Sequence, residues 1–155
     1  MPYIKSNKVK LYYEETGEGY PIIFVHEFGS DLREWEQQVR YFSREYKCIT
    51  FNARGYPPSE VPRDFKQYGY KYSIDDIANL MNKLNINKAH IIGLSMGAYA
   101  ALLFGLKYKK MAKSLIIAGV GSGAMPQHRK SFYSMANELA DTFIKKGSKR
   151  AANII

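Results

Sequence analysis

Apolar residues gather in short continuous runs, and the stretches between the runs carry apolar positions at helical spacing. Pro21-Ile22-Ile23-Phe24-Val25, Tyr46-Lys47-Cys48-Ile49-Thr50-Phe51, Ala89-His90-Ile91-Ile92-Gly93-Leu94 and Ser114-Leu115-Ile116-Ile117-Ala118 are four such runs. Their continuity predicts strands buried on both faces. Leu32, Trp35, Val39 and Phe42 recur with a helical period over residues 32–43. Ile74, Ile77, Leu80, Met81 and Leu84 form the apolar stripe of a second helix over residues 74–84. Ser73 is its expected cap, with Asp75 and Asp76 in the favourable first turn. Asn85-Ile86-Asn87 ends that helix. A third, rich in small and apolar residues, is predicted over 96–108, and a last one over 128–145, after a Gly-rich loop from Gly119 to Pro126.

The N-terminal segment pairs Tyr3-Ile4-Lys5 with Lys10-Leu11-Tyr12-Tyr13-Glu14 around Ser6-Asn7, the pattern of a β-hairpin at a sheet edge. Pro57 and Pro58 exclude a helix interior from the loop at 52–59. Residues 60–72 read as polar and irregular. Strands alternating with helices predict an α/β fold, with a mostly parallel sheet and helices on both faces. Ligands of such folds sit at the carboxyl ends of the strands, which directs attention to His26–Gly29 and Gly93–Gly97.

Composition narrows the class. The 155 residues suffice for one domain with a sizeable core, and 46% of them are hydrophobic, as in a globular protein and unlike a disordered one. Cys48 is the single cysteine, expected as a small buried residue, so no internal disulfide can form. No run approaches the ~18 apolar residues of a membrane span, and Met1-Pro2-Tyr3-Ile4-Lys5 lacks the basic-then-apolar pattern of a signal peptide. A cytoplasmic protein with no membrane partner is the expectation. The net charge of +9 is uneven: residues 107–155 carry 10 Lys and Arg against 2 Asp and Glu. That excess fits a solvated surface. A nucleic-acid role would rest on it alone, without interleaved aromatic residues, and no nucleic-acid partner is expected.

Gly93-Leu94-Ser95-Met96-Gly97 matches G-x-S-x-G, between an apolar run and a helix of small residues. Such a turn strains the serine backbone and exposes its Oγ, with the helix N-terminus behind it favouring developing negative charge. Gly93 and Gly97 lack the Cβ atoms that would clash where strand and helix approach. The competing reading of Ser95 is an ordinary helix cap. No cluster has metal-ligand spacing, Gly17-Glu18-Gly19 is not a dinucleotide loop, and no metal or cofactor is expected.

Together with His26-Glu27-Phe28-Gly29 after the first run and the loop Arg54-Gly55-Tyr56-Pro57-Pro58-Ser59, the elbow resembles the α/β-hydrolase superfamily. More narrowly, it resembles the single-chain esterase, lactonase and C–C hydrolase branch. The resemblance implies an α/β-hydrolase fold truncated before its last strands, with residues 1–122 as core and 123–155 as the start of a helical cap. It implies Ser95 as nucleophile and the N–H groups of Phe28 and Met96 as oxyanion donors. Gly93, Gly97, His26 and Gly29 support the elbow and the loop, with His26 a brace and not a general base. Glu27 stands where that family usually has glycine, so it can alter the loop path or bring a carboxylate near the pocket. Epoxide hydrolases and haloalkane dehalogenases of this fold use aspartate in place of the serine.

The family's triad runs serine, acid, histidine. His90 lies in the strand leading to Ser95, His128 follows the last loop, and Glu138 and Asp141 read as solvated. The acid and the histidine are therefore expected beyond Ile155, in a longer protein. The implied activity is hydrolysis of a small-molecule ester, lactone or related carbonyl compound. An acyltransferase or C–C bond hydrolase using the same serine, and a non-catalytic ligand-binding protein of this fold, stay open. Trp35, Tyr56 and the 119–126 loop are weaker pocket candidates, and core packing suits Trp35 better.

Overall fold

The apolar runs and the hairpin join in one six-stranded sheet in the computed structural model, which describes residues 2–121 and 125–153. The strands are β1 (Tyr3–Ser6), β2 (Val9–Thr16), β3 (Tyr20–Val25), β4 (Tyr46–Phe51), β5 (Ala89–Leu94) and β6 (Ala112–Ala118), in the order β1-β2-β4-β3-β5-β6. The hairpin strands pair antiparallel with each other, and β2 with β4, while β4, β3, β5 and β6 run parallel. The hairpin sits at the sheet edge, as its pattern predicts.

The helices follow from which side chains each strand turns to which face. Ile23, Val25, Ile49, Phe51 and Ile91 pack in one cluster with residues of α2 (Tyr70–Lys83) and α3 (Met96–Lys107). Their strand neighbours Ile22, Phe24, Cys48 and Ile92 point the other way, a consequence of the two-residue period of a strand. These pack with Trp35, Val39 and Phe42, carried by a 3-10 turn (Leu32–Trp35) and α1 (Glu36–Phe42). Trp35 is core, its ring 5.2 Å from that of Phe24. Cys48 is buried.

Three elements depart from the sequence pattern. The helix expected over 32–43 begins as a 3-10 turn capped by Asp31, whose carboxylate accepts from the Arg33 N–H, and becomes α-helical only at Glu36. The second helix begins at Tyr70, so Ser73 is not its cap and Asp75 and Asp76 are not in its first turn. Gly69 takes that place with φ +120°, a conformation open to glycine. Asp76 is instead drawn into the interior by Arg54, an attraction across 22 residues that local periodicity does not encode. The fourth run is not buried on both faces. As β6 it lies at the end of the sheet order, and Ile116 is 53% exposed.

The chain divides into two compact units after Val120. The second holds α4 (Pro126–Lys146), whose start is set by Pro126 and which ends at Gly147 in a left-handed conformation (φ +77°), followed by α5 (Ser148–Ala151). Glu138 and Asp141 are exposed on α4, the latter paired with Lys145. Residues 122–124, part of the Gly-rich loop considered as pocket lining, lie outside the described residues. Among the described residues no helix is long and apolar enough to cross a membrane.

Candidate active site

The sheet order reverses at β3. From β3 the chain crosses to β4 on one side, and from β4 it returns to β5 on the other. A crevice opens at the carboxyl ends of two strands whose connections leave in opposite directions. Val25 and Gly93 are level in the β3–β5 register, so the segments that follow, His26–Gly29 and Leu94–Met96, emerge side by side.

Ser95 caps α3 with φ 50° and ψ −108°. This lies outside the regions an L-residue adopts freely and costs about 1–3 kcal/mol. The ordinary-cap reading fails on geometry, because the Ser95 side chain makes no capping hydrogen bond. The turn is enforced from both sides. The Ser95 N–H donates to the Ala118 carbonyl of the neighbouring strand at 2.8 Å. A Cβ on Gly97 would lie 2.0 Å from the Val25 carbonyl oxygen, and one on Gly93 2.2 Å from that of Gly97. Helix α3 thus presses on the end of β3 more closely than any side chain permits. Met96 opens α3, so its N–H has no acceptor within the helix.

Three successive peptide groups of the 26–29 loop are each held by a side chain. The Glu27 N–H donates to Glu34 Oε1 at 3.0 Å. His26 Nδ1 is 2.7 Å from the Glu27 carbonyl oxygen, and its Nε2 accepts from the Ala53 N–H at 3.0 Å. Accepting at Nε2 places the proton on Nδ1, which therefore donates to that carbonyl. The Glu27 carbonyl and the Phe28 N–H belong to one planar trans peptide and point in opposite directions. Fixing the first aims the second. The Tyr56 hydroxyl then donates to the Phe28 carbonyl at 2.9 Å. The Glu27 carboxylate folds over Gly29, where a Cβ would lie 3.0 Å from Oε1.

The electrostatics suit a brace better than a base. Burial pushes the His26 imidazole below its ordinary value, against the pull of the Glu27 carbonyl and nearby carboxylates. Both of its nitrogens are occupied. Burial likewise lifts the Glu34 carboxyl. Burial, helped by the Glu27 charge, pushes the Tyr56 hydroxyl up to about 12, so it remains a donor. His90 bonds Ser114 Oγ at 2.6 Å near the start of β5, five residues and about 16 Å of strand from Ser95. His128 belongs to the second unit. Among the described residues no group of three or more His, Cys, Asp or Glu could hold a metal.

A second tier of contacts anchors the loop at 52–59, and the hydrophobic pattern gave no sign of it. Arg54, 5% exposed, binds Asp76 through two hydrogen bonds of 2.7 and 2.6 Å, donates to the Gln67 carbonyl at 2.7 Å and lies over the Tyr72 ring. Asp76 also accepts from Ser6 Oγ at 2.5 Å, and Asn79 donates to that hydroxyl at 2.9 Å. Asn52 donates to the Pro57 carbonyl and Ser59 to that of Asn52. A cleft of about 530 Å³ beside the loop is lined by Gly29, Ser30, Asp31, Arg33, Tyr56 and Pro57. Tyr56 lines it and Trp35 does not.

A mostly parallel sheet with helices on both faces, bearing a strained serine at its switch point, defines the α/β class of folds with a strand–serine–helix elbow. The chain belongs to the α/β hydrolase fold family, whose model matches residues 20–150. It is similar to epoxide hydrolase 1 of Caenorhabditis elegans, 30% identical over 142 residues that make up 84% of this chain and 35% of that protein. It is also similar to 3-oxoadipate enol-lactonase 1 of Acinetobacter baylyi, 30% identical over 97 residues, 63% of this chain and 35% of that protein. In fold it is similar to the enol-lactonase from Burkholderia xenovorans LB400, with a TM-score of 0.85 at 23% identity, covering 99% of this chain and 57% of that one. The chain thus spans about a third of the length of these two curated relatives.

Proposed function

We propose that the chain is the nucleophile-bearing part of a serine hydrolase that cleaves a carboxylic ester, lactone or related carbonyl compound. The observation that carries this reading is the strained backbone of Ser95, set at the helix N-terminus beside a loop whose peptide groups are individually held. Ser95 Oγ attacks the carbonyl carbon. The oxygen, turning negative, accepts from the N–H groups of Met96 and Phe28, and losing one such donor typically costs about 3–4 kcal/mol of barrier lowering. A histidine, held in orientation by an acid and, like it, expected in the longer protein, takes the Ser95 proton, returns it to the leaving group and then activates water against the acyl-enzyme.

The serine also argues for carbonyl substrates over epoxides, despite the similarity to an epoxide hydrolase. A serine that opened an epoxide would be left as an ether, which water does not cleave. A carboxylate nucleophile is left as an ester, which water cleaves at the carbonyl. A carbonyl substrate gives serine an acyl ester, and turnover can close.

The test is intact mass of the native protein before and after a fluorophosphonate probe, with hydrolysis of a p-nitrophenyl ester alongside. One probe adduct on Ser95 is expected, and Ser95→Ala should lower kcat by about a thousandfold or more while leaving the thermal midpoint nearly unchanged. A Ser95→Ala protein that hydrolyses ester at the wild-type rate would sink the assignment.

A further inference from the structure

We infer that Tyr56 is a positioning residue that holds the two oxyanion donors in register with one another. The inference rests on the proposed roles of Ser95, Phe28 and Met96 and goes beyond them. The donors come from segments with no covalent connection nearby, the end of β3 and the start of α3, separated by 68 residues. One side chain touches both residues: Tyr56 donates from its hydroxyl to the Phe28 carbonyl at 2.9 Å, and the same oxygen lies 3.7 Å from the side-chain sulfur Sδ of Met96. Its ring stands edge-on to His26 at 4.7 Å, against the imidazole that aims the Phe28 N–H.

Tyr56 can act as a reference point because its own loop is fixed. Arg54 ties the loop to α2 through Asp76, and Gly55 donates from its N–H to the Glu60 carbonyl at 3.0 Å. The carbonyl it holds follows the Phe28 α-carbon, and the proposed donor N–H precedes it. A loop rotation that swings the N–H away from the substrate oxygen breaks the His26 bond to the Glu27 carbonyl and, with it, the Tyr56 bond to the Phe28 carbonyl. With the hydroxyl present, the rotation costs a hydrogen bond. Without it, the loop samples other orientations, and only its reactive fraction stabilises the transition state.

The experiment is Tyr56→Phe in the full-length protein, which deletes the hydroxyl and keeps the ring on His26. Three readouts are taken: kcat and KM for a p-nitrophenyl ester, Ki for a trifluoromethyl ketone that forms an oxyanion adduct on the serine, and the thermal midpoint. The expected result is a fall in kcat of about tenfold, KM within about twofold of wild type, and Ki raised by about the same factor as kcat falls. A purely structural role would move the midpoint without linking kcat to Ki. Wild-type kcat and Ki in Tyr56→Phe, with Ser95→Ala inactive, would overturn the role of Tyr56 and leave the nucleophile standing. A loss carried wholly by KM would overturn it as well. Wild-type activity in Ser95→Ala would overturn both readings together.

Discussion

Replacing Asp76 with asparagine preserves the shape of the side chain and removes its charge from a site that is 1% exposed. Its two oxygens accept three hydrogen bonds, from Arg54 Nε, Arg54 Nη2 and Ser6 Oγ. An amide offers one oxygen, so its nitrogen must face a donor. The larger effect is on Arg54, whose guanidinium would be buried without a counter-ion. Breaking a buried pair from one side costs about 3–5 kcal/mol. That is a large share of the roughly 5–15 kcal/mol that holds a typical domain folded. In urea, with a slope of about 2 kcal/mol per molar, the midpoint should fall by about 2 M. The double variant Arg54→Met with Asp76→Leu removes both charges and should be less destabilised than Asp76→Asn alone, although Ser6 and the Gln67 carbonyl lose partners. Equilibrium unfolding of the three proteins followed by tryptophan fluorescence gives the comparison, with Trp35 in the core as reporter. A midpoint lowered by less than about 0.5 M in Asp76→Asn, or a double variant worse than the single one, would refute the unpaired-charge argument.

Gly97→Ala places a Cβ where the Val25 carbonyl oxygen lies 2.0 Å away, so α3 must move off β3. The expected cost is about 1–3 kcal/mol, read as a lower thermal midpoint, together with loss of fluorophosphonate labelling as the serine turn opens. An alanine variant labelled at the wild-type rate would show that the close approach is not what shapes the turn. His26 gives a pH dependence. Burial sets its folded pKa below the ordinary 6.5, so the unfolded chain takes up the proton first as pH falls. Its contribution to stability is complete above about pH 6.5 and is lost as pH falls through the depressed folded value. Urea midpoints should therefore drop on acidification across this window, and His26→Gln should flatten the drop. The same slope in both proteins would assign the loss to other groups.

The elbow was legible because every part of it is local. Gly93, Ser95 and Gly97 are consecutive alternate residues, and the apolar run before them and the small-residue helix after them depend only on neighbours in the chain. The edge hairpin, the strands and the alternation with helices were readable on the same grounds, since a two-residue or 3.6-residue period is a property of one segment. The role of His26 as a brace came from family resemblance, and its contacts with Glu27 and Ala53 give that role a geometry.

What tertiary structure decided is each feature that needs two distant segments. Asp76 is a buried, paired carboxylate because Arg54 and Ser6, 22 and 70 residues away in sequence, lie within hydrogen-bond reach in space. Glu34 and Tyr56 hold the loop at 26–29 from 7 and 28 residues away, with no spacing rule to announce them. The run at 114–118 has the composition of a buried strand, and Ile116 within it is exposed among the described residues. The local sequence fixes backbone preference and apolar period. Which charges meet depends on contacts whose free energy appears only when the sheet has formed.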